Sequence, residues 1–216
     1  MAERSPSGPA AWRGVVQTAA LRATLDEAGR RWENHNPPFN YRWEHVCAVV
    51  RLAVRLAPLT GADLEVVEAA AWLHDICKKG RDDDHGCEGA QVARNILSRT
   101  DFPSDKVERV ADAISKHVGL SSDPELEPLE AAVLWDADKL AKLGATAVVH
   151  FLGYRMMDGP TTAAQLLDQL QSQPWQQSAV ESLHTAPARS MGRARLEVYR
   201  SFWEQARLEL DGDDLP

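Results

Sequence analysis

From Trp12 to Leu210 the apolar residues recur every three or four positions, and no convincing stretch alternates apolar with polar. That period belongs to an amphipathic helix and not to a half-buried strand, so this chain has to bury its apolar surface by packing helix on helix. The segment "PAAWRGVVQTAALRATLDEAGRRW" puts Trp12, Val15, Val16, Ala19 and Ala20 on one face, and the Pro- and Asn-rich "ENHNPPFN" breaks it. "YRWEHVCAVVRLAVRLAPL" resumes the pattern and is predicted to stop at Pro58. Asp63 is the expected N-cap of "DLEVVEAAAWLHDICKK", with Lys78 and Lys79 at the negative C-terminal end. A polar loop, "GRDDDHG", separates this from a short helix in "CEGAQVARNILSRT". The next helix, in "PSDKVERVADAISKHVG", has Ser104 as expected cap and Gly119 as stop. "LEAAVLWDADKLAKLGATAVVHFLGYRM" reads as one long helix, followed by helices from Thr162, from Pro174 and from about Pro187 to Leu210. The expected class is all-α, with no internal repeat.

A chain of 216 residues, 44% hydrophobic and 26% charged, suits one sizeable soluble domain. No apolar run approaches bilayer length, and "MAERSPSGPA" has no apolar signal-peptide core, so a cytoplasmic protein without a membrane span is expected. Cys47, Cys77 and Cys87 are too few and too oddly spaced for a disulfide framework or a structural zinc site and read as free thiols. A net charge of −8 argues against a nucleic-acid polymer as partner. It leaves room for a small phosphorylated substrate, because a bound metal can reverse the field within one cleft.

Several polar residues interrupt the apolar faces: His45 in "WEHVCAVV", His74 and Asp75 in "WLHDICKK", His117 in "AISKHVG", and Asp136 and Asp138 in "LWDADKLA". Each costs roughly 2–7 kcal/mol if buried without a partner, and more for a carboxylate. A shared cation would satisfy them together. Imidazole and carboxylate without thiolate suit Mn, Fe, Co, Ni or Zn better than Ca. Taken singly, each residue also has a plain reading: His45 as a hydrogen-bonded core histidine, His117 as a cation at a helix end, His85 as a solvated loop residue. His35, His150 and His184 receive only that reading.

In order along the chain, His45, then His74–Asp75, then Asp138 resembles the H…HD…D pattern of the HD-domain metal-dependent phosphohydrolase superfamily. "YRWEHVCAVVRLAVRLA" is similar to its first ligand helix, "EVVEAAAWLHDICK" to its HD helix, and "WDADKLAKLG" to its final "ADRL" helix. "HGCEGAQVA" and "AISKH" resemble two further words of dinuclear members, and "ARSMGRARLEVYRSFWEQARLEL" resembles the last helix of small stand-alone bacterial HD hydrolases. The likeness covers roughly residues 40–155.

The resemblance implies a single-domain HD-type helical bundle with a central metal site between helices. It divides the chain into an N-terminal helix and linker (1–39), a metal-binding core (40–155), C-terminal helices packing on that core (156–210) and an acidic tail (211–216). His45, His74, Asp75 and Asp138 would hold a first metal, with Asp136 as second choice or as a partner that supports a ligand, since residues two apart on a helix face nearly opposite ways. His85 and His117, with Asp75 bridging, would hold a second. Lys78 would protonate a leaving group or neutralise phosphate, Arg42 would grip a phosphate bidentately, and Asp136 or a loop carboxylate would accept the proton. One or two divalent ions (Mn, Fe, Co, Ni, Zn or Mg) would serve hydrolysis of a phosphate ester or anhydride, with a nucleotide the favoured substrate, in a monomer or homodimer. Ala141 stands where the subgroup carries an acidic residue, and the "GYP" word of cyclic-di-GMP phosphodiesterases is missing. A dinuclear iron oxygenase and a non-catalytic nucleotide-binding module are the alternatives that the same pattern leaves open.

Overall fold

The structure, a computed structural model, describes residues 10–79, 85–119, 126–171 and 175–215. The described residues are mostly helical and contain no strand, only a single bridge between Ala10 and Thr100. Most of "GRDDDHG" and of the loop before Leu126 lies outside the described residues. Among the described residues ten α-helices follow one another: α1 (Trp12–Trp32), α2 (Tyr41–Thr60), α3 (Leu64–Leu73), α4 (His85–Leu97), α5 (Val107–Ser115), α6 (Leu129–Ala141), α7 (Ala145–Met157), α8 (Ala163–Gln171), α9 (Trp175–Glu181) and α10 (Ala186–Asp211). None is long and apolar enough to cross a membrane.

The centre of the bundle is α3. Its Val66, Val67, Ala69, Ala70, Ala71 and Leu73 are all buried, because α1, α2, α5 and α6 surround it. Asp63 caps it as expected, accepting from the N–H groups of Glu65 and Val66. One large core joins α1–α6 with the start of α10, and a smaller cluster of Val148, Leu167, Tyr199 and Trp203 ties α7 and α8 to α10.

Four expectations need correction. Pro58 lies inside α2, which runs on to Thr60; only Leu59 and Thr60 remain beyond it, and Gly61, at φ 83°, closes the helix by donating to Ala57 O. Ser104 opens a 3-10 turn (Ser104–Lys106) and makes no side-chain cap. α3 ends at Leu73, so His74 and Asp75 stand in the turn beyond it and not on the helix. The long helix expected from Leu129 to Met156 is broken at Gly144, which takes φ 81°. Arg195 of α10 packs across that glycine and donates to Leu140 O at 2.6 Å, capping α6 from outside.

Two helices approach unusually closely. A Cβ at Gly86 would lie 2.9 Å from the carbonyl of Ser115, and one at Gly89 would lie 3.2 Å from Ile114 Cγ2. Lacking side chains there, α4 settles against the end of α5, which sets His85 beside His117.

Candidate metal centre

Five segments deliver polar groups to one buried point. His45 comes from the second turn of α2, His74 and Asp75 from the turn after α3, His85 from the start of α4, His117 from just past α5, and Asp138 from α6. Every one of these histidines is buried, and so is Asp138. Their donor atoms fall into two sets, each within 4.8 Å: His45, His74 and Asp138, and Asp75, His85 and His117.

Asp75 stands between the sets. Its Oδ1 lies 2.9 Å from His85 Nε2 and 3.6 Å from His117 Nε2, while its Oδ2 lies 3.5 Å from His74 Nε2 and 3.8 Å from His45 Nε2. Arg42 fixes that carboxylate. Its Nη1 donates to Asp75 Oδ2 at 2.7 Å, and its Nε and Nη2 donate to Glu27 at 2.8 and 3.1 Å. Arg42, expected to grip a phosphate, here grips two carboxylates, with a bond at each of its three nitrogens.

The outer ring nitrogens are fixed in the same manner. His74 Nδ1 pairs with Ala71 O at 2.8 Å and His117 Nδ1 with Ile114 O at 2.6 Å, so each Nδ1 donates its proton outwards and each Nε2 faces inwards. His85 Nδ1 lies 3.2 Å from Lys78 Nζ, and His85 Nε2 lies 3.0 Å from His117 Nε2.

His45 Nε2, His74 Nε2 and Asp138 Oδ1 are buried and form no hydrogen bond. His45 Nε2 and Asp138 Oδ1 lie 3.0 Å apart, and Lys142 Nζ lies 2.7 Å from the same oxygen, but neither approach has hydrogen-bond geometry at that atom. Buried polar atoms seldom remain unpaired. Three that converge are what an N,N,O cation site looks like, and their chemistry fits a divalent metal.

Charge agrees. Burial pushes the His45 imidazolium down to about 3 and lowers His117 too, against the pull of the nearby carboxylates, so both rings are neutral at pH 7. Burial opposes ionisation of Asp75, but His74 and Arg42 outweigh it and hold the carboxyl well below the usual range. For Asp138 burial is likewise outweighed, by Lys139 and Lys142.

Asp136 faces elsewhere. Its two oxygens accept from the backbone N–H groups of His184 and Thr185 at 2.7 and 2.8 Å, tying α6 to the entry of α10. The role of proton acceptor suggested for it does not fit this placement, because both oxygens are engaged on the far side of α6 from Asp138. Glu27, Lys139 and Lys142 join the site without having been singled out in the sequence. On an amphipathic helix a charged residue reads first as part of the solvated face.

Comparison with known proteins places this architecture. The family model described as "HD domain" matches residues 42–143, the stretch that carries all six clustered residues. Residues 42–143 are an HD domain. A predicted HD superfamily hydrolase from an uncultured Thermotogales bacterium is 25% identical, with a TM-score of 0.58 over 88% of this chain and 92% of that one. Bacillus subtilis YpgQ, solved in complex with ADP, is 20% identical, with a TM-score of 0.64 over 92% of this chain and all of that one; at that identity the likeness is one of fold. Among curated relatives, the tRNA (cytidine(56)-2'-O)-methyltransferase of Thermoplasma volcanium is 37% identical over 86 residues, 40% of this chain. The aligned part of the HD chain spans 23% of that protein's length.

Proposed function

We propose that this HD-domain protein is a metal-dependent phosphohydrolase that cleaves a phosphate ester or anhydride of a nucleotide or a related phosphorylated metabolite. The observation that carries the proposal is the convergence of three unbonded buried atoms, His45 Nε2, His74 Nε2 and Asp138 Oδ1, beside the Asp75–His85–His117 set. In this reading His45, His74 and Asp138 would hold one divalent ion and His85 and His117 a second, with Asp75 a candidate ligand for both. A bound divalent metal supplies Lewis acidity and activates water for attack on phosphorus at neutral pH.

The rest of the chemistry belongs to side chains. Arg42 is a positioning residue: its bonds to Glu27 and Asp75 keep Asp75 turned so that its two oxygens face the two sets. Lys78, next to His85, offsets charge on the phosphoryl group or protonates the leaving oxygen. The superfamily membership of the domain supports hydrolysis, and ADP bound to a protein of the same fold supports a nucleotide substrate.

The test is phosphate or pyrophosphate release from a panel of nucleotides with Mn²⁺ added, for the wild type and for Asp75→Ala. Mn²⁺-dependent release lost in the variant is the expected result, and the best substrate names the function. No release from any member, with tightly bound iron and dioxygen uptake instead, would overturn the proposal in favour of an oxygenase.

A further inference from the structure

Asp138 serves two kinds of cation. Its Oδ1 faces His45 Nε2, where the unbonded atoms converge, yet that same oxygen lies 2.7 Å from Lys142 Nζ, with Oδ2 at 2.9 Å. Lys139 also pairs with this carboxylate, at 2.7 Å from Oδ2. The two lysines are held quite differently. Lys139 is locked: its side chain is 2% exposed, its ammonium also donates to His117 O at 3.2 Å, and it lies 4.0 Å from the centre of the Trp135 ring. Lys142 is the C-cap residue of α6, and its side chain is 29% exposed. Of the two lysine side chains, that of Lys142 is the one that reaches solvent, at the end of the helix.

A divalent ion between His45, His74 and Asp138 needs Oδ1, and it would bring two positive charges against the Lys142 ammonium. Like charges this close in a buried site repel strongly. Lys139 cannot retreat, and Lys142 can. A displaced ammonium beside a metal site is then a ready partner for an anion, and phosphate is the anion that a phosphohydrolase brings.

We propose that Lys142 is a built-in counter-cation, which neutralises Asp138 until a metal takes Oδ1 and then turns its ammonium to the phosphate of the substrate, so that metal and phosphate bind with positive coupling. The inference rests on the reading of His45, His74 and Asp138 as metal ligands. Coupling of this kind is reciprocal: if phosphate tightens the metal, the metal tightens phosphate by the same factor. Lys142 therefore costs the metal-free site some metal affinity and returns it when substrate is present.

The experiment is a Mn²⁺ titration of the full chain, followed by the electron paramagnetic resonance signal of free Mn²⁺, with and without inorganic phosphate and corrected for Mn²⁺–phosphate binding in buffer. In the wild type, phosphate should tighten Mn²⁺ binding by at least about fivefold, the lower end of usual coupling strengths. Lys142→Met should bind Mn²⁺ about tenfold more tightly than wild type in the absence of phosphate, and phosphate should then add less than about twofold. Lys142→Arg should retain the coupling. Lys142→Gln repeats the test if the methionine variant melts early. Lys116→Met, whose ammonium pairs with Asp112 and Glu127 O and not with Asp138, controls for the loss of one positive charge and should titrate like wild type. Wild-type Mn²⁺ affinity in Lys142→Met, or undiminished coupling to phosphate, overturns the inference while leaving the metal site standing. Absence of Mn²⁺ binding to the wild type overturns both.

Discussion

Acidifying the metal-free protein should destabilise it well before Asp75 and Asp138 are protonated, and His45 should account for a full proton of that sensitivity. The His45 ring is buried among helices, which presses its pKa from 6.5 down to about 3 in the native state, while in the unfolded chain it returns to 6.5. Above 6.5 the ring is neutral in both states and contributes nothing to the pH dependence. Between 6.5 and about 3 the unfolded chain binds a proton that the native protein refuses, so stability falls as pH falls, by about 1.4 kcal/mol per pH unit. From pH 6.5 to about pH 4.5 the loss from this one residue is about 3 kcal/mol, or a fall in melting temperature on the order of 5–10 °C for a chain of this size. Asp75 and Asp138 stay ionised across that window, since their native pKa values lie well below the ordinary carboxylate range; their stabilisation is lost only at lower pH. His117, also lowered by burial, adds in the same direction. The assay is urea or thermal unfolding in chelator at half-unit steps of pH, comparing the wild type with His45→Gln. The variant's slope should be shallower by about one proton, and equal slopes would refute the reasoning that His45 is held neutral by burial.

Three further outcomes follow from the geometry. Asp136→Ala removes both acceptors from the N–H groups of His184 and Thr185; because burial of that carboxylate, which raises its pKa, offsets part of the gain, the expected loss is about 2–4 kcal/mol in denaturant, with metal content per folded chain unchanged. Gly86→Ala forces a methyl group against Ser115 O, which should cost about 1–3 kcal/mol and weaken the Asp75–His85–His117 set more than the other, visible as one weakened class of sites in a calorimetric Mn²⁺ titration. Arg42→Lys gives up the paired bonds that orient Asp75 and should lower metal affinity about 10–100-fold, while an unchanged affinity would show that Asp75 needs no such support.

Much of this was legible in the sequence because apolar periodicity and buried polarity are both local signals. His45, His74 and His117 stood out as polar interruptions of apolar faces, and the structure buries all three at one point. Asp136 and Asp138 could be separated only in part: two residues apart on a helix they must face different ways, and the choice depends on what lies across from each. The structure sets Asp138 opposite His45 and Asp136 opposite the entry of α10. The break at Gly144 was hidden because the apolar pattern continues through it and the cap comes from Arg195, far along the chain. Arg42 was read as free to bind phosphate because nothing local shows that Glu27, on another helix, claims its guanidinium. Lys139 and Lys142 were missed for the same reason; their partner, Asp138, becomes an obvious one only once α6 is seen to be buried on almost every side.

The central claim, that these six residues hold metal, is tested most directly by measuring the metal content of protein purified without chelator, for the wild type and for a variant lacking His45 and His74. The account predicts one or two transition-metal ions per wild-type chain and loss of at least one of them in the variant. A wild-type protein that carries no metal and takes none up from added Mn²⁺, yet is folded and stable, would mean that the buried histidines and carboxylates satisfy one another as a core network, and the account would be wrong.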